Sequence, residues 1–279
     1  MEDNVGRYIV YNGTLKENSE VTGYDMGKVS GRAAYEVIRI INGVPLFFED
    51  HYDRLKATFK TIGKPIPMTM EQLADDIKKL LSKNAKTNCN VKLVIFDEDG
   101  VIKQFVYISK SYYPTEDEAD AGVITGMLRI ERHNPNAKIL NKAYKDAVNS
   151  KMSAEGLFEV ILVDSNGRIT EGSKSNLFFV KGDKVITAPG EYVLRGITRK
   201  YVFEACRNAG FEVTEEFVGE DEVSHMDGAF LSGTSIKVLP IKSVDNIVLN
   251  SSQNPVIDAI RREYDKILGE YIDKQVKLW

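Results

Sequence analysis

The sequence predicts an α+β protein of two domains, and three observations carry that reading. Strand and helix signals interleave without regular alternation, which disfavours a doubly wound sheet. No Gly-x-Gly-x-x-Gly or Walker loop accompanies them. A polar, acidic stretch broken by Pro114, from Ser111 to Asp120, reads as a linker. The expected domains are therefore residues 1–117, ending in that linker, and residues 118–279, with a cleft between them.

The first domain opens with a strand over 7–11, turned by Asn12-Gly13, a strong hairpin signal. A second strand covers 33–41. Alternation puts Tyr35, Val37 and Arg39 on one of its faces and Glu36, Ile38 and Ile40 on the other. Asn42-Gly43 turns the chain into a helix over about 49–62, on which His51, Arg54, Leu55 and Thr58 share a face. Thr69 and Gln72 fit a capping box for a helix striped by Leu73, Ile77, Leu80 and Leu81. Strands at 90–97 and 102–109 flank Asp97-Glu98-Asp99-Gly100, which lacks the later ligands of a calcium loop and reads as a hairpin turn.

Beyond the linker a strand is expected over 122–132, then a helix over 141–152 with Tyr144, Ala147 and Val148 on its apolar face. Asp164-Ser165-Asn166-Gly167 turns a hairpin whose returning strand delivers Glu171. A helix from Gly196 to Gly210 buries Ile197, Tyr201, Val202, Ala205 and Cys206. Strands follow near 211–217, 228–232 and 236–248. The last helix takes Asn254 as its cap and Pro255 in its first turn.

Composition narrows the function. Of 279 residues, 43% are hydrophobic and 28% charged, an ordinary globular balance. A net charge of −4 gives no basic footprint for nucleic acid. No apolar run approaches the ~20 residues of a membrane span. The polar start Met1-Glu2-Asp3-Asn4 does not read as a signal peptide, so a soluble cytoplasmic protein is expected. Cys89 and Cys206 stand far apart, with neither metal nor redox spacing, and read as buried thiols.

Four stretches carry candidate chemistry. Lys138 stands at a strand–helix junction among Ala137, Ile139 and Leu140, an apolar setting that suits a lysine attacking an aldehyde. An exposed surface lysine is the alternative, and Lys142 and Lys145 compete locally, though their spacing suits a solvated helix face. Glu171 is either a ligand-binding carboxylate or a glutamate beside a turn. Gly196-Ile197-Thr198 opens a helix and offers backbone N–H groups and a hydroxyl to an anion, or Thr198 merely caps it. Thr234 and Ser235 add hydroxyls in a Ser-Gly-Thr-Ser turn.

Taken in order, these stretches resemble the pyridoxal 5′-phosphate (PLP) enzymes of fold type IV: branched-chain aminotransferases, D-amino acid transaminases and aminodeoxychorismate lyases. The resemblance runs from about Tyr8 to Val248. It implies a small N-terminal and a larger C-terminal domain with PLP between them, in a homodimer. It makes Lys138, followed by Leu140-Asn141, the Schiff-base lysine. The motif Glu-Gly-x-x-x-Asn matches at Glu171, Gly172 and Asn176, with Ser175 inside it, and implies that Glu171 holds the pyridine nitrogen. Arg54, in His51-Tyr52-Asp53-Arg54-Leu55, matches the phosphate arginine. Leu194 matches the residue packed on the ring, and Gly196, Ile197, Thr198, Thr234 and Ser235 the phosphate cradle.

Tyr35-Glu36-Val37 looks more like the D-amino acid transaminases than the Phe-Glu-Gly of the branched-chain enzymes, and argues against the lyases. Tyr35 would then face the substrate carboxylate. The D-specific Arg-x-His trap is absent from the strand at 90–97, which offers Lys92. Arg32, in Gly31-Arg32-Ala33, either clamps the carboxylate in its place or is a solvated loop arginine. Lys237 stands where the family often has glutamate and either lines the cofactor site or pairs with a nearby carboxylate. The expected activity is transfer of an amino group between an amino acid, D-alanine or D-glutamate favoured, and a 2-oxo acid. A PLP-binding protein without turnover is the other class, which Lys138 and Glu171 argue against.

Overall fold

Asn12-Gly13, Asn42-Gly43 and Asp99-Gly100 all take positive φ, the mirror-image turn geometry that closes two-residue hairpins. Two of them join β1 (Tyr8–Tyr11) to β2 (Thr14–Glu17) and β3 (Ala34–Ile41) to β4 (Val44–Pro45). The third joins β5 (Cys89–Glu98) to β6 (Val101–Ser109). In this computed structural model, which describes residues 3–21, 29, 31–132 and 134–279, these strands form one antiparallel sheet in the order β2-β1-β6-β5-β3-β4. Helices α1 (Phe48–Thr61) and α2 (Met70–Asn84) supply the apolar cover. Leu55 and Phe59 of α1 and Leu73, Ile77 and Leu80 of α2 share a core with Ile38 and Ile40 of β3. The Thr69–Gln72 capping box is formed in both directions.

The chain divides into two compact units. The first is Met1–Tyr112 with Ala137–Lys142 and Glu270–Trp279; the second is Tyr113–Asn136 with Ala143–Gly269. This differs from a single cut at 117/118, for physical reasons. Leu140 N–H donates to Ala33 O (2.9 Å) and Tyr35 N–H to Lys138 O (3.0 Å), so the Lys138 stretch docks on the start of β3. At the chain's end the Trp279 ring meets Phe48 edge-on at 5.0 Å.

The second unit carries a ten-stranded sheet. Its strands in chain order are β7 (Val123–Arg129), β8 (Glu159–Val163), β9 (Arg168–Gly172), β10 (Asn176–Lys181), β11 (Lys184–Thr187), β12 (Glu212–Glu215), β13 (Val218–Gly219), β14 (Gly228–Gly233), β15 (Lys237–Val244) and β16 (Ile247–Val248). The spatial order is β12-β11-β10-β14-β15-β7-β8-β9-β13, with β16 on β15. Its helices are α3 (Glu116–Ala121), α4 (Lys142–Glu155), α5 (Ile197–Asn208) and α6 (Pro255–Gln275), the last beginning under an Asn254 cap. The β10–β14 register sets Asn176 opposite Ser232, which brings the Glu-Gly-x-x-x-Asn motif beside the Ser-Gly-Thr-Ser turn.

Five local expectations are corrected. The linker contains α3, nucleated by a Thr115–Glu118 capping box that was present in the sequence and outranks the proline before it. The strand over 122–132 ends at Arg129, and Arg132 leaves the sheet to pair with Glu171. On α4 the apolar stripe is Tyr144, Val148 and Met152, at four-residue spacing, which leaves Ala147 exposed. The strand over 236–248 breaks at Asp245, whose positive φ turns β15 into β16. Tyr201 of α5 is half-buried rather than buried. Both cysteines are buried, and burial pushes the thiols up, to about 11 for Cys89 and about 12 for Cys206. No helix among the described residues is long and apolar enough to cross a membrane.

Candidate active site

In the first unit the core face of β3 holds one charged residue, Glu36, which is 1% exposed among Ala34, Ile38 and Ile40. A carboxylate there needs partners, and α1 supplies them at three-residue spacing. Arg54 forks it, Nε to Oε1 at 2.8 Å and Nη2 to Oε2 at 2.6 Å, and His51 Nδ1 lies 2.8 Å from Oε2. Burial works to raise the Glu36 pKa, but the Arg54 charge and the hydrogen bonds of Arg54 and His51 outweigh it and bring it down to about 2. Burial is the main cause that lowers the His51 pKa, with the Arg54 and Lys138 charges adding to it against Glu36. His51 is therefore neutral at pH 7 with its proton on Nδ1, facing the acceptor.

Replacing Glu36 with alanine is expected to cost about 3–5 kcal/mol, because it leaves the Arg54 guanidinium buried without its counter-ion. Urea denaturation at neutral pH checks the size. The folded pKa lies below the ordinary 4.5. The Glu36 contribution is thus complete above pH 4.5 and is lost as pH falls toward 2, and the wild-type advantage must narrow over that window.

Lys138 lies close to this triad. Its N–H points at Thr58 Oγ1 of α1 (3.4 Å), and its Nζ stands 4.7 Å from the centre of the Tyr35 ring, a cation–π distance. The side chain is half-buried. Tyr35 also receives Lys92, whose Nζ lies 5.7 Å from its ring. Lys92 is held by the N-terminal segment: it donates to Asp3 Oδ2 at 2.6 Å, and Tyr107 donates to the other oxygen at 2.9 Å. Arg32 lies exposed in the turn before β3.

In the second unit Glu171 is 3% exposed, and donors from three described residues reach it. Arg132 Nη1 gives to Oε1 at 2.8 Å; the Leu194 N–H (3.0 Å) and Asn176 Nδ2 (3.4 Å) give to Oε2. Asn176 Nδ2 also donates to Leu194 O at 2.8 Å, so one side chain ties β10 to the segment that enters α5. Gly196 is required at that entry. A Cβ there would lie 2.2 Å from Asn176 Oδ1. Gly196 heads α5 without a side-chain cap, leaving the helix start to an outside anion. Thr198 is buried and its side chain bonds Tyr264. Thr234 and Ser235 are half-buried in the turn after β14, and near the end of β14 the Ser232 hydroxyl is buried with no hydrogen-bond partner among the described residues. Ser175, expected as a cofactor contact, gives its hydroxyl to Glu159 at 3.1 Å. Lys237 takes the second of its alternatives and pairs with Asp265 at 2.7 Å.

Sequence reasoning missed Glu36 and His51 as partners of Arg54, and Arg132 as the cation on Glu171. A signal existed for the first: a glutamate on the apolar face of a strand, opposite a helix bearing His and Arg three residues apart. Nothing local marks Arg132, 39 residues from its partner.

The profile of the family described as "Amino-transferase class IV" matches residues 33–244. The chain belongs to that family and is a PLP-dependent aminotransferase. It is 29% identical over 253 residues to a putative branched-chain-amino-acid aminotransferase of Methanocaldococcus jannaschii, covering 85% of this chain and 87% of that one. It is also 29% identical over 261 residues to a D-alanine aminotransferase of Bacillus licheniformis, covering 87% and 90%. Its fold is that of the Escherichia coli branched-chain amino acid aminotransferase, with a TM-score of 0.84, 24% identity, and 94% and 95% coverage.

Proposed function

We propose that this aminotransferase exchanges the amino group between a D-amino acid and a 2-oxo acid, in a homodimer. The observation that carries the reading is the Lys138 ammonium held over Tyr35 in a Tyr-Glu-Val strand. The residues fit PLP. The α5 start has no side-chain cap, the end of β14 carries a buried hydroxyl with no partner among the described residues, and a carboxylate lies buried among donors. Bound PLP supplies an aldehyde carbon for an amine and a ring that withdraws electrons from the substrate Cα.

In this reading Lys138 Nζ would hold the cofactor's aldehyde carbon and, when free, would move the proton at the substrate Cα as base and then as acid. Tyr35 fixes that amine's position and offers its ring edge and hydroxyl to the substrate carboxylate. Glu171 keeps a proton on the ring nitrogen. The N–H groups of Ile197 and Thr198, the hydroxyls of Thr234 and Ser235, and Arg54 hold the phosphate. Arg54 does so with the Nη1 edge outside its fork on Glu36, and that fork sets its direction. Leu194 supports the ring through apolar contact. Arg32 and Lys92 bind the substrate carboxylate, and Lys92 does so by exchanging Asp3 for it.

A second reading, transfer from branched-chain L-amino acids, draws on the relative from M. jannaschii. A half-reaction separates the two. PLP-loaded protein is mixed with D-alanine, D-glutamate, L-leucine or L-glutamate, with no oxo acid present. The expected result is loss of the visible band of lysine-bound cofactor with the D-amino acids alone. Loss only with the L-amino acids moves the chain to the second reading.

A further inference from the structure

Glu159 is a second buried carboxylate of the second unit, 4% exposed on a strand, β8, whose every residue is buried. Among the described residues it has no cationic partner. Four donors hold it instead. Oε1 accepts from Ser173 Oγ at 2.5 Å and from the Val160 N–H at 2.9 Å. Oε2 accepts from Ser175 Oγ at 3.1 Å and from the Lys174 N–H at 3.2 Å. These donors match an acceptor-only group, and three of the four belong to Ser173-Lys174-Ser175, the turn that separates Glu171-Gly172 from Asn176.

The turn is folded tightly onto this carboxylate. A Cβ on Gly172 would lie 2.2 Å from Ser175 Oγ and 3.3 Å from Glu159 Cγ, so glycine is required there. The Ser173 N–H donates to Val160 O at 2.8 Å, and Tyr144 donates its hydroxyl to Ser173 O at 2.9 Å. The β8–β9 pairing shifts register between Ile161 and Val163, which sets the last residues of β9 off the regular ladder. The direction of the Glu171 side chain thus depends on contacts made two to four residues further on. Asn176, the other end of the turn, holds both Glu171 and Leu194.

We propose that Glu159 is a positioning residue: its carboxylate clamps the 173–175 turn and so aims Glu171 and Asn176 at the cofactor ring. The inference rests on the PLP reading of Glu171. It touches neither substrate nor ring, and its effect passes through the turn. Outer partners of metal ligands govern metal affinity or activity by about 10–100-fold, and an effect of the same order is expected from this clamp.

The test uses PLP-loaded wild type, Glu159→Gln and Ser173→Ala. Glutamine keeps the shape but sets an NH₂ group against donors; Ser173→Ala keeps the carboxylate and removes one donor, and decides the matter if the glutamine variant does not fold. In the variants the visible band is expected to remain, because Lys138 is intact. The PLP dissociation constant rises on the order of tenfold for Glu159→Gln and less for Ser173→Ala. The pH midpoint of the band shifts with it, because a misaimed Glu171 holds less of the ring nitrogen's charge. Unchanged affinity and midpoint in the folded variants, whatever their melting temperatures, overturn the proposal and leave Glu159 a structural residue. A wild type with no visible band overturns the PLP reading itself, and with it this inference.

Discussion

Replacing Lys138 with alanine is expected to abolish the visible band of lysine-bound cofactor and to lower transamination by at least on the order of 10⁴-fold. The fold should survive the change. The contacts that seat this stretch on β3 are made by the backbone: Lys138 O accepts from Tyr35 N–H, and Leu140 N–H donates to Ala33 O. The Nζ over the Tyr35 ring is lost. Circular dichroism and a melt confirm folding, and absorbance of the PLP-loaded protein reads the band. Added methylamine is expected to restore a small part of the turnover by supplying a free base. A variant that keeps both band and turnover would transfer the role to another lysine, with Lys142 the first to examine.

The second large effect is expected at Glu171. Glu171→Gln preserves the shape and an oxygen for the Leu194 N–H, but removes the charge. The visible band should remain and the half-reaction rate should fall on the order of 10²–10³-fold, the range for losing one aligned electrostatic contact to developing charge. Arg132, 18% exposed on its side chain, loses its counter-ion and turns to solvent, so a smaller loss of stability accompanies the change. Single-turnover absorbance with the preferred amino acid measures the rate. A wild-type rate would show that the charge on Glu171 is not used by the ring.

These two residues show how far local sequence carries. The candidates Lys138 and Glu171 stood out because each sits in a short pattern: a lysine among apolar residues at a strand end, and a glutamate followed by glycine and, four residues after that, asparagine. The turns at Asn12, Asn42 and Asp99 and the caps at Thr69 and Asn254 were legible for the same reason, since their hydrogen bonds close within four residues. The capping box at Thr115 was equally local but was hidden by the proline and acidic run around it.

What escaped depends on partners distant in the chain. Alternation put Glu36 on the face of Ile38 and Ile40, yet only the packing of α1 on β3 shows that His51 and Arg54 meet it there. Arg132 reaches Glu171 because β7 ends three residues earlier, and Lys92 is held by Asp3, 89 residues before it. Glu159 looks like an ordinary strand residue until the 173–175 turn folds over it. Periodicity and short-range hydrogen bonding therefore specified the α+β class, most elements and the residues able to carry the chemistry. The counter-ions and clamps that set their charge and direction came from tertiary packing, because a buried charge takes its partner from whichever strand or helix the fold lays against it.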